Sequence, residues 1–211
     1  MHGIQVFFSK KEEIQMTKSA VRTHKLVVAA MLSAVAVVLQ LIEISIPIIP
    51  SFVKLDFSDL PPLLGAFALG PIYGAGIELV KNLIHLAFGS SAGVGELANF
   101  LLGAVFMLVA GFVYKSHKNR AGAALGAVLG ALAMAIVCVP LNYFIVYPAY
   151  VVIYGMPLEA IIGMYQAILP VADSLIKCLL IFNLPFTFCK GIIVAIICFL
   201  IYKPLSPLLH K

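Results

Sequence analysis

Apolar residues run along this chain in long uninterrupted stretches, with polar residues gathered between them. The stretches cover about residues 25–46, 58–69, 72–88, 96–114, 121–152 and 183–202. They lack the short alternating segments of a spanning barrel, so the pattern predicts membrane-crossing helices. The second stretch is short against the ~20 residues a bilayer needs. Its start is still well marked: Ser58 and Asp59 offer helix caps, and Pro61 and Pro62 suit a first helical turn. It is expected to tilt, or to continue from an extended segment before it. Six spans put both ends of the chain on one side, with outer connections at 47–57, 89–95 and about 153–182. The last connection carries Glu159, Asp173 and Lys177 among alternating apolar and polar positions. It is expected to form one or two short helices over the outer mouth, or a re-entrant segment.

Composition points the same way. Hydrophobic residues make up 63% of the 211 positions and charged residues 11%, with a mean hydropathy of +1.10. A soluble domain has ~45–50% apolar and ~25% charged residues. A soluble domain is excluded, and so is disorder, which needs low hydrophobicity. The expected fold is an all-α integral membrane protein of six transmembrane helices. The net charge of +5 admits a nucleic-acid partner, but its placement does not. Lys10, Lys11, Lys18, Arg22 and Lys25 precede the first span, and Lys115, Lys118 and Arg120 share one short loop. Lys203 and Lys211 close the chain, and only Glu12 and Glu13 oppose this set. That is a positive-inside distribution, which places both termini in the cytoplasm and makes the partner surface a lipid bilayer, with no nucleic acid. The first fifteen residues look unlike the rest, and Met16 is an alternative start to Met1. No cleavable signal peptide is evident, because the first apolar run is too long for one. Cys138, Cys178, Cys189 and Cys198 form no CxxC pair, so neither a disulfide framework nor a metal site is expected. Those in apolar runs read as small buried hydrophobes.

Small residues recur at helix-packing spacing. Gly122, Gly126 and Gly130 form a doubled GxxxG, and Ala30 and Ala34 repeat the spacing in the first span. Such faces let helix backbones approach closely in lipid, either inside the protein or against another membrane subunit.

Polar residues inside the spans carry the functional signal. Glu78, Lys81, Asn82 and His85 fall at i, i+3, i+4 and i+7, on one helix face. A charge near the bilayer centre costs ~2.5–3.5 kcal/mol, so this face must point into the bundle or a watered space. Glu78 and Lys81 can partly neutralise each other. The face is a polar seam between helices or the wall of a ligand pocket. Glu96 and Asn99 lie at the outer end of the fourth span, where Glu96 also complements a helix N-terminus. Asn142 follows Pro140, which frees a backbone carbonyl and kinks the helix. Tyr143, Tyr147, Tyr150 and Tyr154 share one face, as an interfacial belt or a stacking wall for a flat ligand. Asn183, Thr187 and Lys190 repeat in the last span, and Lys190 is deep enough to need a carboxylate, carbonyls or a ligand oxygen. The sum suits a flat heterocycle with a hydroxylated tail. Ring carbonyls and nitrogens want donors such as Asn142, Thr187 and Lys190, and hydroxyls want Glu78, Asn82 or Asn99.

Other chemistry is set aside. There is no GxxxxGK[ST], so the chain has no P-loop of its own, and no HExxH. Gly89-Ser90-Ser91-Ala92-Gly93 matches GxSxG but links two membrane helices, where a strand–turn–helix is required. An intramembrane enzyme using Ser91 is the reading from a different functional class.

Several segments together carry a family resemblance: Val53-Lys-Leu-Asp-Phe-Ser-Asp-Leu-Pro61, then Gly70-Pro-Ile-Tyr-Gly74 running into Glu78-Leu-Val-Lys-Asn82. Gly95-Glu-Leu-Ala-Asn-Phe100, Leu141-Asn-Tyr-Phe144 and Leu184-Pro-Phe-Thr-Phe-Cys-Lys-Gly191 follow in order. Over about residues 26–203 the chain resembles the riboflavin-specific substrate-binding (S) component of energy-coupling factor (ECF) transporters. The resemblance implies a six-helix vitamin-binding domain at 25–203, between a cytoplasmic arm at 1–24 and a tail at 204–211. It implies riboflavin as the transported ligand, with no cofactor, and a bacterial cell membrane as the location. It implies partners in one transmembrane coupling protein, which meets Ala30 and Ala34, and two ATPase subunits, which explains the missing P-loop. Its pocket residues fall on Glu78, Asn142, Thr187 and Lys190, to which the reading of the polar faces adds Asn82, Asn99 and Tyr143. The position of Thr187 resembles an Asn in some relatives. The loop 47–57, with Lys54 and Asp56, is implied to gate the pocket. The lack of Trp argues against S components that stack their vitamin on Trp. An S component for a different heterocycle is the nearest rival.

Overall fold

The computed structural model describes the backbone of residues 2–209 except 48, 51, 52 and 90, and the side chains of 19–201 with the same exceptions. The side chains of Met1, Lys10, Lys11, Glu12, Glu13, Met16, Lys18, Lys203 and Lys211 lie outside the described residues, as do parts of the loops at 47–57 and 89–95. Helix α1 spans His2–Gln40 without a break at residue 25, so it ends six residues before the expected boundary. The chain then forms a two-stranded antiparallel hairpin, β1 (Ile44–Ser45) and β2 (Lys54–Leu55), with Ile44 opposite Leu55. Helices α2 (Leu60–Ala68), α3 (Pro71–His85) and α4 (Val94–Ser116) follow. Helix α5 (Arg120–Leu141) passes through a π turn (Asn142–Val146) into α6 (Tyr147–Tyr154). After α7 (Leu158–Gln166), the short α8 (Leu175–Cys178) runs through a second π turn (Leu179–Asn183) into α9 (Leu184–Leu209).

Among the described residues, four helical stretches are long and apolar enough to cross a membrane: Ser19–Gln40, Val94–Ser116, Arg120–Tyr154 and Leu175–Ile201. The last begins at Leu175, eight residues before the expected start at 183. The alternating polar pattern there hid a helix because its first turns carry Lys177 and Cys178 on a continuous helical backbone. The connection before it holds one described helix, α7, whose Ile161 and Tyr165 are buried. Lys177 donates to Asp173 (2.8 Å) there, and this bond holds the Asp173 carboxyl below its ordinary range.

Helix α2 has nine residues, a rise of about 13 Å at 1.5 Å each. Of the two expectations for this short span, the structure shows a continuation: strand β2 leads through a turn at Ser58–Asp59 into the helix, and Asp56, Ser58 and Asp59 are all buried. Asp59 occupies the N-cap position but makes no side-chain cap bond. Its carboxylate turns instead to two lysines. Pro61 and Pro62 start the helix as expected.

The core lies between α2, α4, α5 and α9, from Leu63, Leu64 and Phe67 through Phe106 and Met107 to Val194 and Cys198. Helices α4 and α5 meet on the glycine stripe. A Cβ at Gly126 would lie 2.6 Å from the Ala110 carbonyl oxygen, and one at Gly130 would lie 2.9 Å from that of Phe106. The doubled GxxxG is therefore used inside the protein.

Candidate functional site

The polar residues of the last span line up on one buried face, and each engages a different element. Asn183 accepts from Tyr165 (2.7 Å) and donates to Tyr147 (3.1 Å), tying the start of α9 to α7 and α6. Thr187 donates to Cys138 Sγ on α5 (3.3 Å). Lys190 pairs with Asp56 (3.0 Å) and Asp59 (3.1 Å), below the hairpin. A buried ammonium must find carboxylates, because an isolated buried charge is costly.

The ion network continues across the bundle. Lys81 donates to Asp59 (2.5 Å) and Ser58 Oγ (2.7 Å), and its Nζ lies 2.9 Å from Glu78. Asp56 accepts from the Ser58 backbone N–H (2.8 Å) and from its hydroxyl. Asn82 donates to Glu78 Oε2 (3.2 Å) and accepts from Gln40 Nε2 on α1 (3.0 Å). Three acids and two lysines thus share one buried region, where Glu78 and Lys81 are 0% exposed and Asp59 is 1%. Helix α4 makes room for it: a Cβ on Gly103 would sit 2.5 Å from the Glu78 carboxyl carbon.

The expected site residues fall in three settings. Glu78 and Asn82 join the ion network, beside Lys190 and the inward-turned Asp56. Asn142 and Thr187 meet at Cys138. The others stand apart: Asn99 is half-buried on α4, and Tyr143 is 41% exposed and edge-on to Phe144, with ring centroids 5.0 Å apart. Tyr143 is expected on one face with Tyr147, but across the π turn Tyr147 is buried while Tyr143 is not. Lys54 is exposed and pairs with Glu43 across the hairpin. Ala30 and Ala34 lie exposed on α1, and Ser33, Ala36 and Gln40 are buried on the side that packs inward.

Asn142 and Thr187 are read from the sequence as donors to a ring; in the structure their donors are engaged within the protein. Asn142 Nδ2 donates to the Cys138 carbonyl (2.7 Å) and to its sulfur (3.1 Å), and the single Thr187 donor goes to the same sulfur. The sequence reading missed Asp59 as an ion-pair partner, Gly103 as a spacer and Cys138 as an acceptor. For Asp59 the signal was only that two lysines inside spans need carboxylates; nothing local in the sequence brings both of them to Asp59.

The Ser91 region is also resolved. Ser91 donates to Glu96 and accepts from the Gly95 N–H (3.0 Å), while His85 Nδ1 lies 2.9 Å from the other Glu96 oxygen. The carboxylate stands between the serine and the histidine. A nucleophile triad needs the histidine in that place.

The model of one family, "ECF transporter, substrate-specific component", matches residues 24–202. This chain belongs to that family. It is a multi-pass membrane protein with the S-component fold. A solved chain described as "Structure and mechanism of the S component of a bacterial ECF transporter" superposes with a TM-score of 0.71, at 35% identity, covering 90% of this chain and 99% of that one. The riboflavin transporter RibU of Staphylococcus aureus (strain TCH60) is 35% identical over 90% of this chain and 94% of its own. The riboflavin transporter FmnP of Bacillus subtilis (strain 168) is 34% identical over 90% of this chain and 96% of its own. Both relatives are named as transporters, which agrees with the order of groups around Ser91.

Proposed function

We infer that this S component binds riboflavin and delivers it inward as the substrate-binding subunit of an ECF importer in a bacterial cell membrane. The observation that carries this reading is the similarity, over nine-tenths of the chain, to two riboflavin transporters. The buried polar face of α9 supports it chemically. A flat heterocycle with ring carbonyls suits Lys190 as donor, with Asn142 and Thr187 on the same face and Tyr143 at the edge. A hydroxylated tail suits Glu78, Asn82 and Asn99. The loop holding Lys54 and Asp56 closes over the ligand. Helices α2 and α3 add two shorter crossings to the four long ones, which makes six and leaves both termini in the cytoplasm with the basic residues.

The mechanism is binding and reorientation, with no bond made or broken in this chain. ATP hydrolysis belongs to two partner ATPases, because this sequence holds no P-loop. The exposed face of Ala30 and Ala34 receives the transmembrane coupling protein, small residues allowing close helix approach. Riboflavin is cargo, and no resident cofactor takes part.

The test is purification in detergent from cells grown with riboflavin. A yellow chromophore released on denaturation, with the absorbance and fluorescence of riboflavin, is the expected result. A colourless protein that also fails to quench added riboflavin at micromolar concentration would falsify the ligand assignment and turn attention to another heterocycle.

A further inference from the structure

Donors from two helices converge on one sulfur. Cys138 is 2% exposed, one turn before Asn142 on α5 and facing Thr187 on α9. Its Sγ accepts from Asn142 Nδ2 (3.1 Å) and Thr187 Oγ1 (3.3 Å), and its own weak donor points at the Asn183 carbonyl (4.0 Å). The same amide also donates to the Cys138 carbonyl (2.7 Å). A carboxamide held by its nitrogen offers its oxygen outward, and a hydroxyl that has given its proton offers only lone pairs. Asn142 Oδ1 has no hydrogen-bond donor among the described residues. Lys190, one turn beyond Thr187, can only donate. The face therefore presents two acceptors beside one donor.

We propose that Cys138 is a positioning residue: its sulfur fixes Thr187 as an acceptor beside Asn142, which its main-chain carbonyl and sulfur hold together, so that the site requires an N–H on the edge of the ligand ring, beside a carbonyl for Lys190. The proposal rests on the riboflavin reading above: the isoalloxazine ring carries one imide N–H between two carbonyls. The sulfur acts through the two side chains it holds and needs no contact with the ligand. A serine oxygen at this position accepts the same two bonds. An alanine accepts neither; Asn142 then keeps its bond to the main-chain carbonyl of residue 138, while Thr187 is free to turn its hydroxyl donor outward.

The experiment compares riboflavin with riboflavin methylated on its imide nitrogen, using flavin-fluorescence quenching on the full chain in detergent. Blocking the N–H leaves two acceptors facing a methyl group, so the unmodified protein prefers riboflavin by about tenfold or more. Cys138→Ser keeps that preference. Cys138→Ala lowers it to about threefold or less, because a freed donor no longer demands the N–H. Each preference is a ratio on one protein, so a general loss of affinity cancels. An unchanged ratio in Cys138→Ala overturns the proposal, as does a ratio near one in the unmodified protein, which needs no variant to fold. Failure of the unmodified protein to bind either flavin overturns the riboflavin reading itself, and is distinct from binding both equally.

Discussion

Replacing Lys81 by methionine tests the buried ion network most directly. Methionine nearly matches the lysine stem in volume, so no large cavity forms, and the change removes the ammonium alone. That ammonium contacts Asp59 (2.5 Å), Ser58 (2.7 Å) and Glu78 (2.9 Å) in a region where both lysine and Asp59 are at most 1% exposed. Removing one partner of a buried pair costs ~3–5 kcal/mol, because the remaining charge stays buried. In a chain of this size each kcal/mol moves the melting temperature by roughly 2–4 °C, so Lys81→Met should melt about 6–20 °C lower. The double variant Asp59→Asn/Lys81→Met removes both charges and leaves Asp56 to hold Lys190. It should recover at least ~1.5 kcal/mol of the loss. Lys54→Met breaks an exposed pair, with side chains 38% and 30% exposed, and should cost less than ~1 kcal/mol. Circular dichroism melts in detergent measure all three. A Lys81→Met protein as stable as its parent, or a double variant no better than the single one, refutes the electrostatic account.

Other expectations are open to equally direct tests. Lys190→Ala and Asn142→Ala should each weaken riboflavin binding by at least about tenfold, or ~1.4 kcal/mol, measured by fluorescence quenching; unchanged affinity in both removes the site assignment. Gly126→Val puts a side chain where a Cβ already lies 2.6 Å from the Ala110 carbonyl, and should destabilise the fold by about 1–3 kcal/mol in the same melts. Ser91→Ala loses a bond to Glu96 outside the proposed site. It should leave riboflavin binding and uptake unchanged within about twofold, for a stability cost of ~0.5–1.5 kcal/mol, and lost uptake by a folded protein revives a chemical role for Ser91.

The membrane fold was legible because lipid allows few backbone solutions, and an apolar run of about twenty residues can satisfy its own hydrogen bonds only as a helix. The polar face of α3 was legible for a related reason: four polar residues at helical spacing have one place to go. What stayed hidden depends on small shifts of phase or on contacts between distant segments. The π turns at Asn142–Val146 and Leu179–Asn183 leave no mark in hydropathy, and neither does the difference in burial between Tyr143 and Tyr147. Asp59 looked like a helix cap because its neighbours were a serine and two prolines. Nothing local reveals that α3 and α9 each bring a lysine to it. Cys138 read as a buried hydrophobe, and is one by exposure. Its role as an acceptor needs Thr187, forty-nine positions away, on the facing helix.

Two ion pairs at the open end of the hairpin differ in strength. Lys54 and Glu43 form an exposed pair, worth at most about 1 kcal/mol. Two residues on, Asp56 is bound to Lys190 in a buried site, where breaking the pair leaves the Asp56 carboxylate without its lysine while Lys190 keeps Asp59. A motion that breaks only the Lys54–Glu43 pair is therefore cheap, and one that extracts Asp56 is expensive. The same ammonium that anchors the hairpin also stands beside Thr187 on the candidate binding face. A ligand oxygen that hydrogen-bonds Lys190 lowers the cost of loosening Asp56, and a loosened Asp56 leaves Lys190 freer to bind the ligand. On the transport reading, binding and loop position are linked through this one side chain, and the coupling acts equally in both directions.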